Sequence, residues 1–121
     1  MKKVMVVDDS PSVRQQVGLA LTQAGYDVLE ACDGQDGLQK ATTPGVALLI
    51  CDINMPKMNG FELLEKVKAD PKLCCLPVVM LTSEGQPSLM DRAKKAGAKG
   101  WIIKPFKAAL LVAAVKKIVP I

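Results

Sequence analysis

Five polar residues stand where apolar runs end. Asp8 and Asp9 follow VMVV (Val4–Val7), and Asp52 follows ALLIC (Ala47–Cys51). Thr82 closes PVVMLT (Pro77–Thr82), and Lys104 closes GWIIK (Gly100–Lys104). Apolar runs this short, bounded by polar residues, read as buried strands. Taken singly, an aspartate after a strand is often a helix cap, a threonine is a strand residue and a lysine a solvated charge. Ser10 already supplies the cap after Asp9, so the two aspartates need another role. Three carboxylates brought together repel, and each resists ionising beside the others. A hard divalent cation removes that conflict. Mg²⁺ takes one or two carboxylates, keeps waters and leaves room for a phosphoryl oxygen. A carboxylate is also a nucleophile toward phosphorus, forming an aspartyl phosphate. A lysine and a hydroxyl suit the remaining oxygens of the transferred group. The chemistry indicated is phosphoryl acceptance at an acidic, metal-assisted site.

Such a site requires elements that bring these positions to one edge. SPSVRQQVGLALTQAG places Val13, Val17, Ala20 and Ala24 on one helical face, with Ser10 as N-cap, Pro11 at the first position and Gly25 at the end. DVLEA (Asp27–Ala31) mixes charge into a strand pattern, as an edge strand does. GQDGLQKAT predicts a short helix, and GFELLEKVKAD a longer one burying Phe61, Leu64 and Val67. PSLMDRAKKAG and KAALLVAAVKKIV complete the set. Strands alternating with helices imply an α/β fold, a doubly wound parallel sheet covered on both faces. Ligands in such sheets collect beyond the carboxyl ends of the strands, at the topological switch point. All five polar residues belong to that edge.

Composition narrows the function classes. The chain has 121 residues, enough for one domain (1–121) with one respectable core. Half of it is hydrophobic, yet the aromatics are only Tyr26, Phe61, Trp101 and Phe106, so the core is aliphatic. The apolar run near the N-terminus is too short for a signal peptide, and no stretch approaches the ~20 residues of a membrane span. Cys32, Cys51, Cys74 and Cys75 form no CxxC pair, and there is no histidine to complete a zinc site. Buried or idle thiols in a reducing cytoplasm are expected. The net charge of +4 is spread along the chain without interleaved aromatics, which argues against nucleic-acid binding.

VVDDS, ICDINMPKMNG, VVMLTSE and KGWIIKPF resemble the receiver domain of two-component response regulators, over essentially the whole chain. Without an output domain the resemblance is to the stand-alone chemotaxis type. It implies a flavodoxin-like three-layer sandwich with strand order 2-1-3-4-5. By position, Asp52 becomes the phosphorylated aspartate, and Asp8 and Asp9 the acidic pocket for Mg²⁺ together with Asp52 and the backbone carbonyl of Asn54. Thr82 bonds the phosphoryl group and reports it, Lys104 pairs with a phosphoryl oxygen, and the Lys104–Pro105 bond is cis. Gly60 fits the sharp turn after the acceptor strand. A histidine kinase supplies the phosphoryl group. A chain without histidine cannot itself be the phosphohistidine donor, and its only catalysis is its own phosphorylation and dephosphorylation.

The resemblance also implies an output route: the threonine moves toward the phosphoryl group and an aromatic on the fifth strand turns inward. That aromatic is Trp101, which packing alone also explains. The last helix is apolar around most of its circumference, wider than a one-sided surface helix needs. A partner face and close packing of an alanine-rich helix both account for it. The leading expectation is a cytoplasmic, monomeric binding module that presents its fourth-helix, fifth-strand and fifth-helix face to an output protein, the flagellar motor switch being one candidate. The alternative is a phosphate sink without an output target, and Asn54 and Glu84 occupy positions that influence phosphoryl lifetime in the family. A Mg²⁺ phosphatase with an aspartate nucleophile wants a second acid two residues on, where this chain has Asn54. A flavin protein of this topology wants a Ser/Thr/Gly-rich loop after the first strand, which is missing.

Overall fold

The computed structural model describes residues 2–55, 58–83 and 85–120. Among them are five strands, β1 (Lys3–Val7), β2 (Asp27–Ala31), β3 (Val46–Cys51), β4 (Val78–Thr82) and β5 (Gly100–Ile103). Five helices alternate with them: α1 (Pro11–Gln23), α2 (Gly34–Lys40), α3 (Gly60–Ala69), α4 (Pro87–Lys95) and α5 (Ala108–Ile118). All neighbouring strands are parallel, in the order β2-β1-β3-β4-β5. This is the doubly wound order expected, with DVLEA at an edge.

The period-two alternation of strand side chains divides the interior. Met5, Val7, Leu49, Cys51, Val78 and Met80 face one core with Phe61, Leu64 and Val67 of α3. Val4, Val6, Leu48, Ile50, Val79 and Leu81 face a second, closed by Val17 and Leu21 of α1 and Leu111 and Val115 of α5. The central strands are therefore almost wholly apolar, with Lys3 at the start of β1 and Thr82 at the end of β4 as the polar exceptions, because both faces are buried.

Local signals set the helix ends. Ser10 Oγ accepts from the Val13 N–H at 3.4 Å, and Pro11 occupies the first helical position. Asn59 and Glu62 form a reciprocal capping box that starts α3. α1 stops at Gln23, and Gly25 takes φ +100° just beyond it, a conformation that favours glycine. Burial pushes the Tyr26 phenol up, and its hydroxyl donates to the Val119 carbonyl at 2.6 Å, tying the entry of β2 to the end of α5.

Several expectations shift. β3 begins one residue earlier, at Val46. Pro77 lies just before β4, since it has no N–H to offer the ladder, although its carbonyl accepts from Leu49 at 2.9 Å. Lys104 falls just past β5, its N–H still bonded to the Thr82 carbonyl at 2.8 Å. Of the four free thiols only Cys51 is buried; Cys32, Cys74 and Cys75 are exposed. No helix among the described residues is long and apolar enough to cross a membrane.

Candidate functional site

The sheet presents its carboxylates where β1 and β3 end side by side. The Asp52 N–H donates to the Val7 carbonyl at 3.0 Å, continuing the ladder one step past the strand. The Asp8 N–H does the same toward Ala31 of β2 at 3.2 Å. Carboxylate oxygens of Asp8, Asp9 and Asp52 lie within 4.8 Å of one another. Asp8 and Asp52 are buried and Asp9 is exposed, so the cluster opens to solvent on the Asp9 side.

Lys104 reaches both buried acids. Its ammonium stands 2.8 Å from Asp8 Oδ2 and 3.4 Å from Asp52 Oδ2, with the lysine side chain only 20% exposed. The other oxygen of each acid is held by the backbone: Asp8 Oδ1 accepts from the Ser10 N–H at 2.9 Å, and Asp52 Oδ1 from the Ile53 N–H at 2.8 Å. Burial pushes the Asp52 carboxyl above the usual range; Lys104 pulls it back and Asp8 pushes it up again. Cys51 lies beneath, its thiol pushed far up by burial and by Asp52 and Asp8, so it stays neutral.

The turn after Asp52 is held by close backbone packing. The Gly60 N–H donates to the Ile53 carbonyl at 2.9 Å, and a Cβ at Gly60 would overlap the Asp52 carbonyl oxygen. Asn54 is exposed within this turn. Thr82 is fully buried at the end of β4, beside the strand that carries Asp52, and opposite Ile103. The Lys104–Pro105 bond is cis. Trp101 is not part of the acidic cluster. It pairs with Met80 and lines two cavities, one of about 430 Å³ between α4 and β5 and one of about 380 Å³ between β5 and α5. Glu84 lies outside the described residues.

Sequence reasoning missed Arg14. Its Nη1 donates to the Asp8 carbonyl and its Nε to Glu30 Oε1 at 3.1 Å. No local signal marks it, because both partners come from other elements.

Residues 4–116 match the family model of the response regulator receiver domain. The chain belongs to this family. The receiver is 40% identical to the chemotaxis protein CheY1 of Helicobacter pylori over 111 residues, covering 90% of each chain. It is 42% identical to a chemotaxis protein CheY homolog of Campylobacter jejuni, over 90% of this chain and 85% of that one. Among solved structures it resembles chemotaxis protein CheY4 of Vibrio cholerae, with TM-score 0.92 and 39% identity over 98% of this chain and 99% of that one. A response regulator from Chloroflexus aurantiacus aligns at TM-score 0.91 and 35% identity, over 97% and 96%. Receivers of this type are signalling proteins and not ordinary enzymes.

The donor set of this receiver fits Mg²⁺. It is all oxygen, as a hard cation prefers, and its three carboxylates offer more than the one or two that Mg²⁺ needs. Its 4.8 Å spread is close to the ~4.2 Å between oxygens opposite one another on an ion coordinated at ~2.1 Å.

Proposed function

We propose that this receiver is a chemotaxis-type response regulator that takes a phosphoryl group from a histidine kinase onto Asp52. The observation that carries the reading is the shared ammonium: Lys104 pairs with two buried acids at once, beside a third that faces solvent. Asp8, Asp9, Asp52 and the Asn54 carbonyl would hold Mg²⁺, which supplies charge neutralisation for the phosphoryl oxygens. An Asp52 oxygen attacks phosphorus, an O–P bond forms, and the P–N bond to the kinase imidazole breaks with its electron pair leaving on nitrogen. The Ile53 N–H holds Asp52 Oδ1 in place during this step. Lys104 transfers its ammonium from the carboxylate to a phosphoryl oxygen, and Thr82 offers its hydroxyl to another. Water later attacks phosphorus, the O–P bond to Asp52 breaks with its electron pair returning to the carboxylate, and inorganic phosphate leaves.

Output leaves through α4, β5 and α5, with Thr82 and Trp101 as the switch. The support is the placement of exposed large apolar side chains: of four among the described residues, Met90, Ile103 and Leu110 are 39%, 42% and 65% exposed, one on each of those elements, and Leu19 lies apart on α1. Scattered exposed apolar residues are ordinary, but grouping around one edge strand marks an interaction surface. The partner is an output protein such as a flagellar motor switch, and the receiver acts as a cytoplasmic monomer without nucleic acid or membrane.

The test follows Trp101 fluorescence on adding Mg²⁺ and then a small acyl phosphate, beside Asp52→Asn, with intact mass for each sample. The wild type should respond and gain one phosphoryl group, while Asp52→Asn gains none. An unmodified wild type overturns the reading. Modification without capture of an output partner would make the receiver a phosphate sink.

A further inference from the structure

Asp9 is the solvent-facing member of the carboxylate trio, and the peptide before it sets where its side chain begins. Asp8 itself is fixed by its N–H on Ala31, its Oδ1 on Ser10 and its Oδ2 on Lys104. The peptide joining Asp8 to Asp9 has a separate anchor, because its carbonyl accepts from Arg14 Nη1. The same guanidinium is braced from behind by Glu30 on β2 at 3.1 Å. Arg14 is 16% exposed and Glu30 52%, so the arginine lies within the structure and its partner at the surface.

We infer that Arg14 is a positioning residue for the acidic site, which through the Asp8–Asp9 peptide fixes the direction in which Asp9 meets a divalent cation. This rests on the Mg²⁺ site proposed above. A planar guanidinium directs two donors at once, toward a carbonyl and a carboxylate, which an ammonium on a flexible stem does not reproduce. Its charge is adverse beside a cation site, and Glu30 offsets that charge while holding the plane. Position and charge therefore act in opposite senses, and the sign of one measurement separates them.

Mg²⁺ alone is titrated by calorimetry into wild type, Arg14→Gln, Arg14→Lys, Glu30→Gln, Glu30→Ala and Asp9→Asn, with urea unfolding of each in chelator. Arg14→Gln removes a positive charge, so electrostatics alone would tighten Mg²⁺. Positioning demands weaker binding, by about 10-fold, as for other groups that orient metal-binding carboxylates. Arg14→Lys keeps the charge, loses the fork, and should weaken binding similarly; it also serves should Arg14→Gln fold poorly. Glu30→Gln, which retains an acceptor, should be less affected than Glu30→Ala. Phosphoryl uptake by the Arg14 variants should recover at saturating Mg²⁺. Binding by Arg14→Gln equal to or tighter than wild type overturns the inference and leaves the site standing, as does uptake that stays low at saturation. A wild type whose titration matches that of Asp9→Asn overturns the site and the inference with it.

Discussion

Lys104→Met removes the ammonium shared by Asp8 and Asp52 while keeping an apolar stem of similar length. At 2.8 and 3.4 Å the two attractions are worth about 6 and about 5 kcal/mol gross at an effective dielectric near 20. Bringing the lysine out of water consumes much of that. What the substitution costs is the stranding of two buried carboxylates, about 3–5 kcal/mol when a buried pair loses one partner. The pH dependence gives the sharper test. Asp52 already sits above the usual carboxylate range, and losing Lys104, which pulls it down, raises it further. A carboxyl whose folded value is raised stabilises the protein below its unfolded value of about 3.9, and that contribution disappears as pH rises through the folded value. The deficit of Lys104→Met should therefore be largest near pH 7.5 and shrink toward pH 5. Urea unfolding in chelator at both pH values reads it, and a thermal melt at pH 7.5 should show a drop of roughly 12–20 °C. Millimolar Mg²⁺ should recover much of the loss by replacing the missing positive charge. A deficit below about 1 kcal/mol, or one equal at the two pH values, would show that the lysine acts by packing and would refute the charge reasoning.

Asp52→Asn should flatten the fall in stability that metal-free wild type shows between about pH 4 and neutrality, because it removes the carboxyl that burial holds above its normal range; urea midpoints across that interval check this. Gly60→Ala forces a methyl group into the Asp52 carbonyl and should cost about 1–3 kcal/mol by urea unfolding, with slower phosphoryl uptake by intact mass. Tyr26→Phe strands the buried Val119 carbonyl and should cost about 1–2 kcal/mol in the same assay, leaving phosphoryl uptake unchanged.

The parallel strands and the convergence of Asp8, Asp9, Asp52 and Lys104 were legible because they follow from period and topology; the strand order followed from the resemblance to receiver domains. Apolar runs name the strands, and whatever follows a parallel strand lies at one edge of the sheet. Thr82 and Gly60 were legible in place, although the overlap that excludes a side chain at Gly60 depends on how α3 approaches β3. Arg14 was not legible. Beside the exposed glutamines that follow it on α1 it reads as a solvated charge, and its partners are a backbone carbonyl and an edge-strand acid 16 residues away. The exposed thiols were hidden for a related reason: Cys74 and Cys75 sit in the turn after α3, whose solvent exposure is set by tertiary packing. The apolar girth of α5 signalled surplus hydrophobic surface, but only packing against α1 decides that Leu111 and Val115 are buried and Leu110 is exposed.

The contact at Gly60 makes the molecule mechanically uneven. α3 touches the backbone of Asp52 with nothing in between, is locked at its start by the capping box, and buries Gly60, Phe61, Leu63, Leu64 and Val67. α4 follows Gln86, an N-cap without a side-chain bond, and buries Ala93 alone. Push on Asp52, and the α3 side answers as an anvil. On the function proposed above, displacement would be taken up on the other flank, where α4 follows Thr82 and is held by fewer buried side chains. A modification proposed at the centre of the sheet would thus meet unequal resistance on its two sides before any partner arrives.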